Sequence, residues 1–435
     1  MNCYKQDLAR AAQKVAMPKG CRVLIAGATG LIGGCLTDML MAHSDCEVYA
    51  LGRNRQRAQQ RFSEWWTDGR FHFLTHDVCE PLMLDVDVRY VIHAASPASP
   101  NAFQQQPVEV MKSNLYGLCN LVDYGLGHNM ERMVYVSSGE VYGEGDGCVF
   151  SEQSCGYIDM LSPRSCYPQS KRAAETLCAA YGKEYGAKIV VARPCHTYGP
   201  WFTESDNRAY AQFIRNVLRG ENIVMQSQGS QYRSWLYVVD CAAAILLLLQ
   251  KGEAGEAYNV ANEGSNITIR QLAEKIAAIA QRQVVMPATD AGNTTPITKA
   301  VFTTGKLEQL GWKPLFGMDE GLRHTLQTLT TLCSRSGSIL CLAGTEARQI
   351  VRIGDGILNV LHHRSITIGR GGYPGADDAD GYHAGCQTPS GLLNEVGGLA
   401  YACHLVVAGK AGRETAALRF LNEHDAYHKH GYDND

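Results

Sequence analysis

The sequence has no apolar run long enough to cross a bilayer. Its longest, CAAAILLLL from Cys241 to Leu249, falls well short of the roughly 20 residues a spanning helix needs and reads as a buried helix. An excess of either charge is also missing. Lys and Arg number 40 against 43 Asp and Glu, a formal net charge of -3, which gives no support for a broad nucleic-acid or anionic-membrane surface. No two of the 16 cysteines stand in CxxC spacing. The first twenty residues, MNCYKQDLARAAQKVAMPKG, are polar and helical in pattern, without the apolar core of a secretory signal. Scattered thiols and no export signal lead to the expectation of reduced, mostly buried cysteines in a cytoplasmic protein, not a disulfide framework.

What is present is the composition of a globular chain: 45% apolar and 19% charged residues, over a length of 435 that fits two or three domains. Strand-like apolar runs alternate with helical stretches for the first 250 residues. RVLIAGA, EVYALGR, FHFLTHDV, YVIHAAS, RMVYVSS and KIVVARP read as strands. LIGGCLTDMLMA, NRQRAQQRFSEWW, VEVMKSNLYGLCNLVDYGLG and YPQSKRAAETLCAAYGKEYG read as helices. Such alternation predicts an α/β fold: a Rossmann-type, doubly wound parallel sheet with helices on both faces. Ligands of that architecture lie at the carboxyl ends of the strands. Residues 196–333 are less regular and are expected to form a smaller substrate lobe. The expected boundaries are an extension over 1–19 and a main body over 20–335. Within that body the dinucleotide core takes about 20–195 plus 235–260, and the lobe 196–234 and 261–333. An appended module of unknown function covers 336–435.

AGATGLIGG follows the first strand and opens a helix, with Gly27, Gly30 and Gly33 in GxxGxxG spacing. Glycines there let the backbone turn tightly and approach a pyrophosphate resting on the helix amino terminus. The second strand should end in the residue that chooses the cofactor, where an acid would bind the ribose diol of NAD. The sequence reads LGRNRQR instead, with Gly52, Arg53, Arg55 and Arg57. Arginine can hold a 2′-phosphate and so leans toward NADP. A solvated basic helix start is the other reading, and NAD and NADP both stay open. Asp77 is placed to reach an adenine edge or to form a strand-end turn.

YPQSK puts Tyr167 and Lys171 at i and i+4, on one helix face. A lysine beside a phenol is expected to lower its pKa, so that Tyr167 can take a proton from a sugar hydroxyl while hydride leaves for a nicotinamide. Ser138, after the strand RMVYV, is the candidate to hold the reacting oxygen.

With these motifs in this order, the chain resembles the extended short-chain dehydrogenases/reductases of the NAD-dependent epimerase/dehydratase family, which modify nucleotide sugars. The resemblance covers about residues 20–330 and is strongest to UDP-glucuronate decarboxylases. It rests on HDVCEPLMLDVDVRYVIHAASPASP, SPRSCYPQSKRAAETL, HTYGP, DNRAYAQFI and GSQYRSWLYVVD. It implies catalytic roles for Ser138, Glu140, Tyr167 and Lys171. It implies a tightly bound NAD or NADP held by Gly27, Thr29, Gly30, Leu31, Ile32, Gly33, Arg53, Asp77, Val78, Ala94, Ala95, Ser96, Asn114, Tyr167, Lys171 and Arg193. For the substrate, a nucleotide-diphosphate sugar, it implies Pro97, Ser138, Gly139, Glu140, His196, Arg208, Gln212 and Arg233, with Arg233 at the diphosphate. A homodimer without metal, nucleic-acid or membrane partners is expected.

Three departures bear on the reaction. His196 stands where these proteins have asparagine, and reads first as a packed loop residue. An arginine expected near NTTPITKA is missing. Gly139 replaces the serine of decarboxylases and the aspartic acid of dTDP-glucose 4,6-dehydratases. Oxidation at C4 of a hexose makes a ketone that acidifies its neighbours. A carboxylate at C5 then leaves as CO2 with no general acid. A CH2OH group must instead lose water, which profits from a base such as Glu140 and an acid beside it. SSGE therefore fits decarboxylation better than 4,6-dehydration and still allows 4-epimerisation. Glu140 also has the plainer reading of a cap or ion-pair former, and Arg208 and Arg233 of surface ion pairs. An NADPH-dependent reductase and a non-catalytic dinucleotide-binding protein are further alternatives; intact Ser138, Tyr167 and Lys171 argue against the last.

From Ser334 onward the chain holds 16 of the 44 glycines and 7 of the 14 histidines, a composition change that marks a boundary. Asp377, Asp378, Asp380, His383 and Cys386 cluster in sequence, which an acidic glycine-rich loop explains without metal. The final LRFLNEHDAYHKHGYDND reads as a helix running into a polar end.

Overall fold

The computed structural model describes residues 2–15, 20–203, 206–287 and 298–336, and five strand segments between 349 and 421. They fall into two compact units, Met1–Cys341 and Leu342–Asp435. In chain order the strands of the first unit are β1 (Arg22–Ala26), β2 (Glu47–Gly52), β3 (Phe71–Thr75), β4 (Tyr90–His93), β5 (Arg132–Val136), β6 (Ile189–Pro194), β7 (His196–Tyr198), β8 (Ile223–Val224), β9 (Tyr232–Tyr237), β10 (Ala257–Val260), β11 (Asn262–Thr268), β12 (Val284–Val285) and β13 (Lys299–Ala300). The helices are α1 (Cys3–Ala12), α2 (Leu31–His43), α3 (Arg55–Arg61), α4 (Pro100–Gln105), α5 (Pro107–Gly127), α6 (Cys166–Tyr185), α7 (Ala209–Leu218), α8 (Val238–Lys251), α9 (Ile269–Ile279), α10 (Gly305–Gln309) and α11 (Met318–Ser336).

Seven strands form one sheet in the order β10-β6-β5-β4-β1-β2-β3, and every pairing in it is parallel. This is the Rossmann-type sheet the alternation predicts, with β10 as a seventh strand beyond the six read from the sequence. The order reverses between β1 and β4, and a crevice opens there at the strand ends. Strand interiors such as Val23–Ala26 and Val48–Leu51 are fully buried or nearly so, as expected of parallel strands covered on both faces. The run Cys241–Leu249 is the buried core of α8. A second sheet carries β11, β9 and β13 in that order, with β7 also on β9; β9 thus connects the lobe strands to α8.

One helix differs from its expected length. The sequence reading over 54–66 ends as a helix at Arg61 and continues as i→i+3 turns: Trp65 N donates to Phe62 O and Asp68 N to Trp65 O. The tighter winding sets Phe62 and Trp66 against Phe71.

The N-terminal helix is stitched into the first unit. Tyr4 donates to Asp38, Tyr237 to Asp7 at 3.0 Å, and Arg10 to Glu320. Asp38 also takes Arg61 and the Trp65 indole N–H. Both members of the Asp38–Arg61 pair are almost fully buried.

In the second unit, β14 (Gln349–Ile353), β15 (Gly356–Val360) and β16 (Ile366–Ile368) form an antiparallel sheet, and β17 (Ala402–Val406) pairs antiparallel with β18 (Ala417–Leu421). β18 corrects the expectation of a helix from Leu418. Leu418 and Phe420 alternate with a charge between them, and the antiparallel register places them opposite Leu405 and Cys403. The cluster Asp377–Cys386 lies outside the described residues, as does most of the segment in which an arginine is missing.

Asp38→Ala leaves the buried Arg61 guanidinium without its carboxylate, the kind of change that costs about 3–5 kcal/mol. Denaturant unfolding followed by circular dichroism should show a loss of that size; a loss below about 1 kcal/mol would show that the pair contributes little.

Candidate active site

The glycine loop between β1 and α2 is shaped by contact. Gly27 has φ +80°, and a Cβ on it would stand 2.6 Å from Ala94 O and from the backbone of Ala95. Gly27 N and Ala28 N both donate to Leu51 O, tying the loop to β2. Gly30 caps α2 without a side chain, and no acidic residue occupies the first turn, so the helix amino terminus favours an anion. Gly27, Thr29, Gly30, Leu31, Ile32, Gly33, Arg53, Asp77, Val78, Ala94, Ala95 and Ser96 all line one cleft of about 510 Å³, within the roughly 300–1,000 Å³ typical of ligand sites. Pro97 and Arg208 line it too, as do Arg57 and Asp206. A dinucleotide fits these residues on two counts. The loop has no Cβ where a pyrophosphate must approach, and the buried Ser96 Oγ lacks a hydrogen-bond partner among the described residues. Arg193 is placed elsewhere. Its guanidinium is committed to the Glu175 carboxylate, the Tyr142 hydroxyl and Glu152 O, and Ser137 donates to the same Glu175.

The reacting groups gather where β5 ends. Lys171 is buried and its Nζ donates to Val136 O at 2.8 Å. Nζ lies 4.7 Å from the Tyr135 ring centre and 5.8 Å from that of Tyr167. Burial pulls the Lys171 pKa down to about 7. Tyr167 stacks on Phe103 at 4.6 Å, and the Ser138 hydroxyl is near enough to act on its pKa. Ser138 Oγ also accepts from Glu140 N at 3.1 Å and so caps the 3₁₀ turn over Gly139–Tyr142.

The expected lowering of the phenol pKa is not found in this ligand-free chain. Burial raises Tyr167 to about 12 and the Glu140 carboxylate adds to the rise; Ser138, Arg208 and Arg164 pull the other way. Lysine fails to dominate because it is itself desolvated and turned to a carbonyl. Asn114 on α5 lies behind this cluster, with Nδ2 on Ser170 Oγ and Oδ1 without a partner among the described residues.

Glu140 is gripped by Arg164, at 3.1 and 3.3 Å, and the Arg164 guanidinium lies over the Phe103 ring. Arg164 was not singled out from the sequence; its signal was the PRSCY motif, of which it is the charged member. Arg208 is held by Asp206, which also takes the Tyr210 hydroxyl. Arg233 is buried and its pKa drops to about 10 through desolvation, opposed by Glu140, so it stays cationic at neutral pH. His196 is half-buried beside Trp235. Burial, with Arg233 and Arg208 nearby, lowers it to about 3, which leaves a neutral hydrogen-bonding ring. Gln212 is half-buried on α7 and its backbone N–H donates to Arg208 O.

Gly139 has a specific neighbour. A Cβ there would stand 2.5 Å from the Phe302 ring, which packs with Tyr142 and Phe150. The space for a serine or aspartate at 139 is filled by Phe302, from the segment after β13.

A parallel sheet in this order with a glycine cradle at its switch point is the architecture of a dinucleotide-dependent enzyme. The chain belongs to the NAD dependent epimerase/dehydratase family, whose model matches residues 23–261. It is 33% identical over 302 residues to UDP-glucuronic acid decarboxylase 5 of Arabidopsis thaliana, covering 69% of this chain and 87% of that protein. It is 32% identical over 308 residues to UDP-glucuronic acid decarboxylase 1 of Danio rerio, covering 70% and 72%. Among solved structures it resembles UDP-glucose 4-epimerase of Thermus thermophilus in complex with NAD (TM-score 0.60, 26% identity, 71% of this chain and 98% of that one). Similarity to dTDP-glucose 4,6-dehydratase of Streptomyces venezuelae (TM-score 0.64, 24% identity, 72% and 98%) shows the shared fold.

Two outcomes follow from the geometry. Lysine Cε resonances titrated by NMR should include one with a midpoint near pH 7, charged below and neutral above, and absent in Lys171→Met; a lysine set titrating wholly above pH 9 would contradict the buried ammonium. Gly139→Ser should lose roughly 1–3 kcal/mol by overpacking, and the double variant Gly139→Ser/Phe302→Leu should lose less than the sum of the singles. Strict additivity would show that the two positions are not in contact.

Proposed function

We propose that this chain is a nucleotide-sugar decarboxylase of the UDP-glucuronate type, acting through transient oxidation at C4. The observation that carries this reading is Gly139 closed over by Phe302: the cluster keeps Ser138, Glu140, Tyr167 and Lys171 but has neither an acid at 139 nor room for one. Loss of CO2 from a keto acid needs no such acid, whereas loss of water from C6 profits from one. Identity to UDP-glucuronic acid decarboxylases supports the same substrate.

NAD(P), when bound, supplies the hydride acceptor for C4 and returns the hydride at the end. The chain's residues handle protons and position. Ser138 Oγ, oriented by Glu140 N–H, presents the sugar 4-hydroxyl to Tyr167. Tyr167 takes the hydroxyl proton and later gives it back to the same oxygen. With a pKa of about 12, the phenol needs added positive charge to act at neutral pH, and Arg208 and Arg164 are two cations already acting in that direction. Glu140, held as a carboxylate by Arg164, lies on the Tyr167 side of the site to orient the water that delivers a proton to the carbon once CO2 has left. Arg233 meets the diphosphate as a buried cation. His196, neutral, serves as a hydrogen-bond partner to the substrate.

Among the described residues no helix is long and apolar enough to cross a membrane. A cytoplasmic homodimer belongs to the same reading. Free cysteines throughout the described residues support the compartment, and the exposed Val108, Met111 and Tyr116 on α5 support the dimer.

Incubation of the full chain with UDP-, dTDP-, GDP- and CDP-sugars, read by mass spectrometry, should show CO2 lost from UDP-glucuronate. Tyr167→Phe should lower that turnover by at least about a hundredfold, the size of a general acid–base contribution, with the fold retained. Loss of water from a neutral hexose, or inversion without mass change, would replace this reading with dehydration or epimerisation.

A further inference from the structure

We propose that the carboxyl end of β2 is a phosphomonoester subsite built on Arg53 with Arg57 beside it, so that this chain selects the 2′-phosphorylated dinucleotide, NADP(H), over NAD(H). The inference concerns the adenosine end of the cleft and stands whichever sugar reaction the opposite end performs.

An acid at the end of the second strand would accept hydrogen bonds from both ribose hydroxyls of an unphosphorylated dinucleotide. The residue there is Gly52, and its surroundings leave little space for a longer one. A Cβ at 52 would stand 3.3 Å from two carbons of the Phe73 ring and 3.3 Å from Thr29 Cγ2. The carboxylate is thus absent, and the route its side chain would take is closely walled.

The arginines that follow are sorted by the fold. Arg55 turns away and lays its guanidinium over the Trp66 ring at 5.2 Å. Arg53 and Arg57 line the dinucleotide cleft together with Thr29. Asn54 accepts from Arg57 N at 2.9 Å and fixes the start of α3. Arg57 Nη2 reaches Thr29 O at 3.3 Å, which holds its charge against the glycine loop. Arg53 is 71% exposed, and its ion pair with the exposed Asp77 is at 4.0 Å, the limit of such a contact. A pair so long and so wet is weak, and the guanidinium keeps its donors for a better anion. A purely solvated helix start would not turn two of three arginines into the cleft. Two guanidinium groups against one carboxylate suit a phosphate dianion, which arginine binds in a forked, charge-assisted geometry.

The test is isothermal titration of the full chain with adenosine 2′,5′-bisphosphate and with 5′-AMP, which differ by the 2′-phosphate alone. The bisphosphate should bind at least about tenfold more tightly, the size of one charge-assisted contact. In Arg53→Ala the ratio of the two affinities should fall to about threefold or less, and in the parent chain the advantage should weaken as salt rises. Arg53 is an exposed side chain outside the core, so the variant should keep its circular dichroism spectrum. A bisphosphate that binds no more tightly than 5′-AMP, no binding included, overturns the proposal. So does an advantage that survives intact in Arg53→Ala.

Discussion

The site depends on one buried cation. Lys171 lies inside the protein, with its ammonium on the last carbonyl of β5 and over the Tyr135 ring. That contact fixes α6 against the end of the strand. Because Tyr167 is one turn earlier on the same helix, and Ser138 two residues beyond Val136, the one hydrogen bond sets their relative position. A buried ammonium is costly unless its partners are good, and the low pKa of Lys171 records that cost. Burial, with the same charge adding to it, keeps His93 behind it in the core neutral, with a pKa of about 3. Catalytic geometry and core packing are therefore the same contacts seen from two sides of β5.

From this anchor the site extends outward through carboxylates that are each held by arginine. Glu175 takes Arg193 and Ser137, Glu140 takes Arg164, and Asp206 takes Arg208. The first pair is buried and structural, and locks the strand-end loop to α6. The other two reach the Tyr167 phenol as fields of opposite sign, Glu140 raising its pKa and the arginines lowering it. Burial outweighs the arginines and leaves the phenol near 12, so only added positive charge beside it brings it toward neutral pH.

Much of this was legible in the sequence where the signal is local. The glycine cradle, the YxxxK face and the order of the first six strands each reside in a few contiguous residues, and those residues lie where their spacing implies. What escaped was set by distant partners. Nothing near Gly139 names Phe302, which comes 163 positions later and fills the volume above it. Arg193 is a conspicuous arginine at a strand end, but Glu175 and Tyr142 claim it. The expectation that Lys171 lowers the Tyr167 pKa treated the pair as if in water, and burial reversed it. β18 was read as helix because a single charged residue between two apolar ones is compatible with both periods until a pairing strand decides.

Phe302 links the turn at Gly139 to β9. It is carried on the segment that follows β13, yet it packs on the 3₁₀ turn capped by Ser138. Its backbone N–H donates to Ser234 Oγ on β9, next to Arg233, the cation assigned to the diphosphate. Phe302 therefore bridges β9, through its backbone, and the turn at Gly139, through its ring. Glycine at 139 permits that close approach, because any side chain would hold the lobe and the catalytic turn apart. The glycine thus lets the segment after β13 and the 3₁₀ turn after β5 pack as one surface.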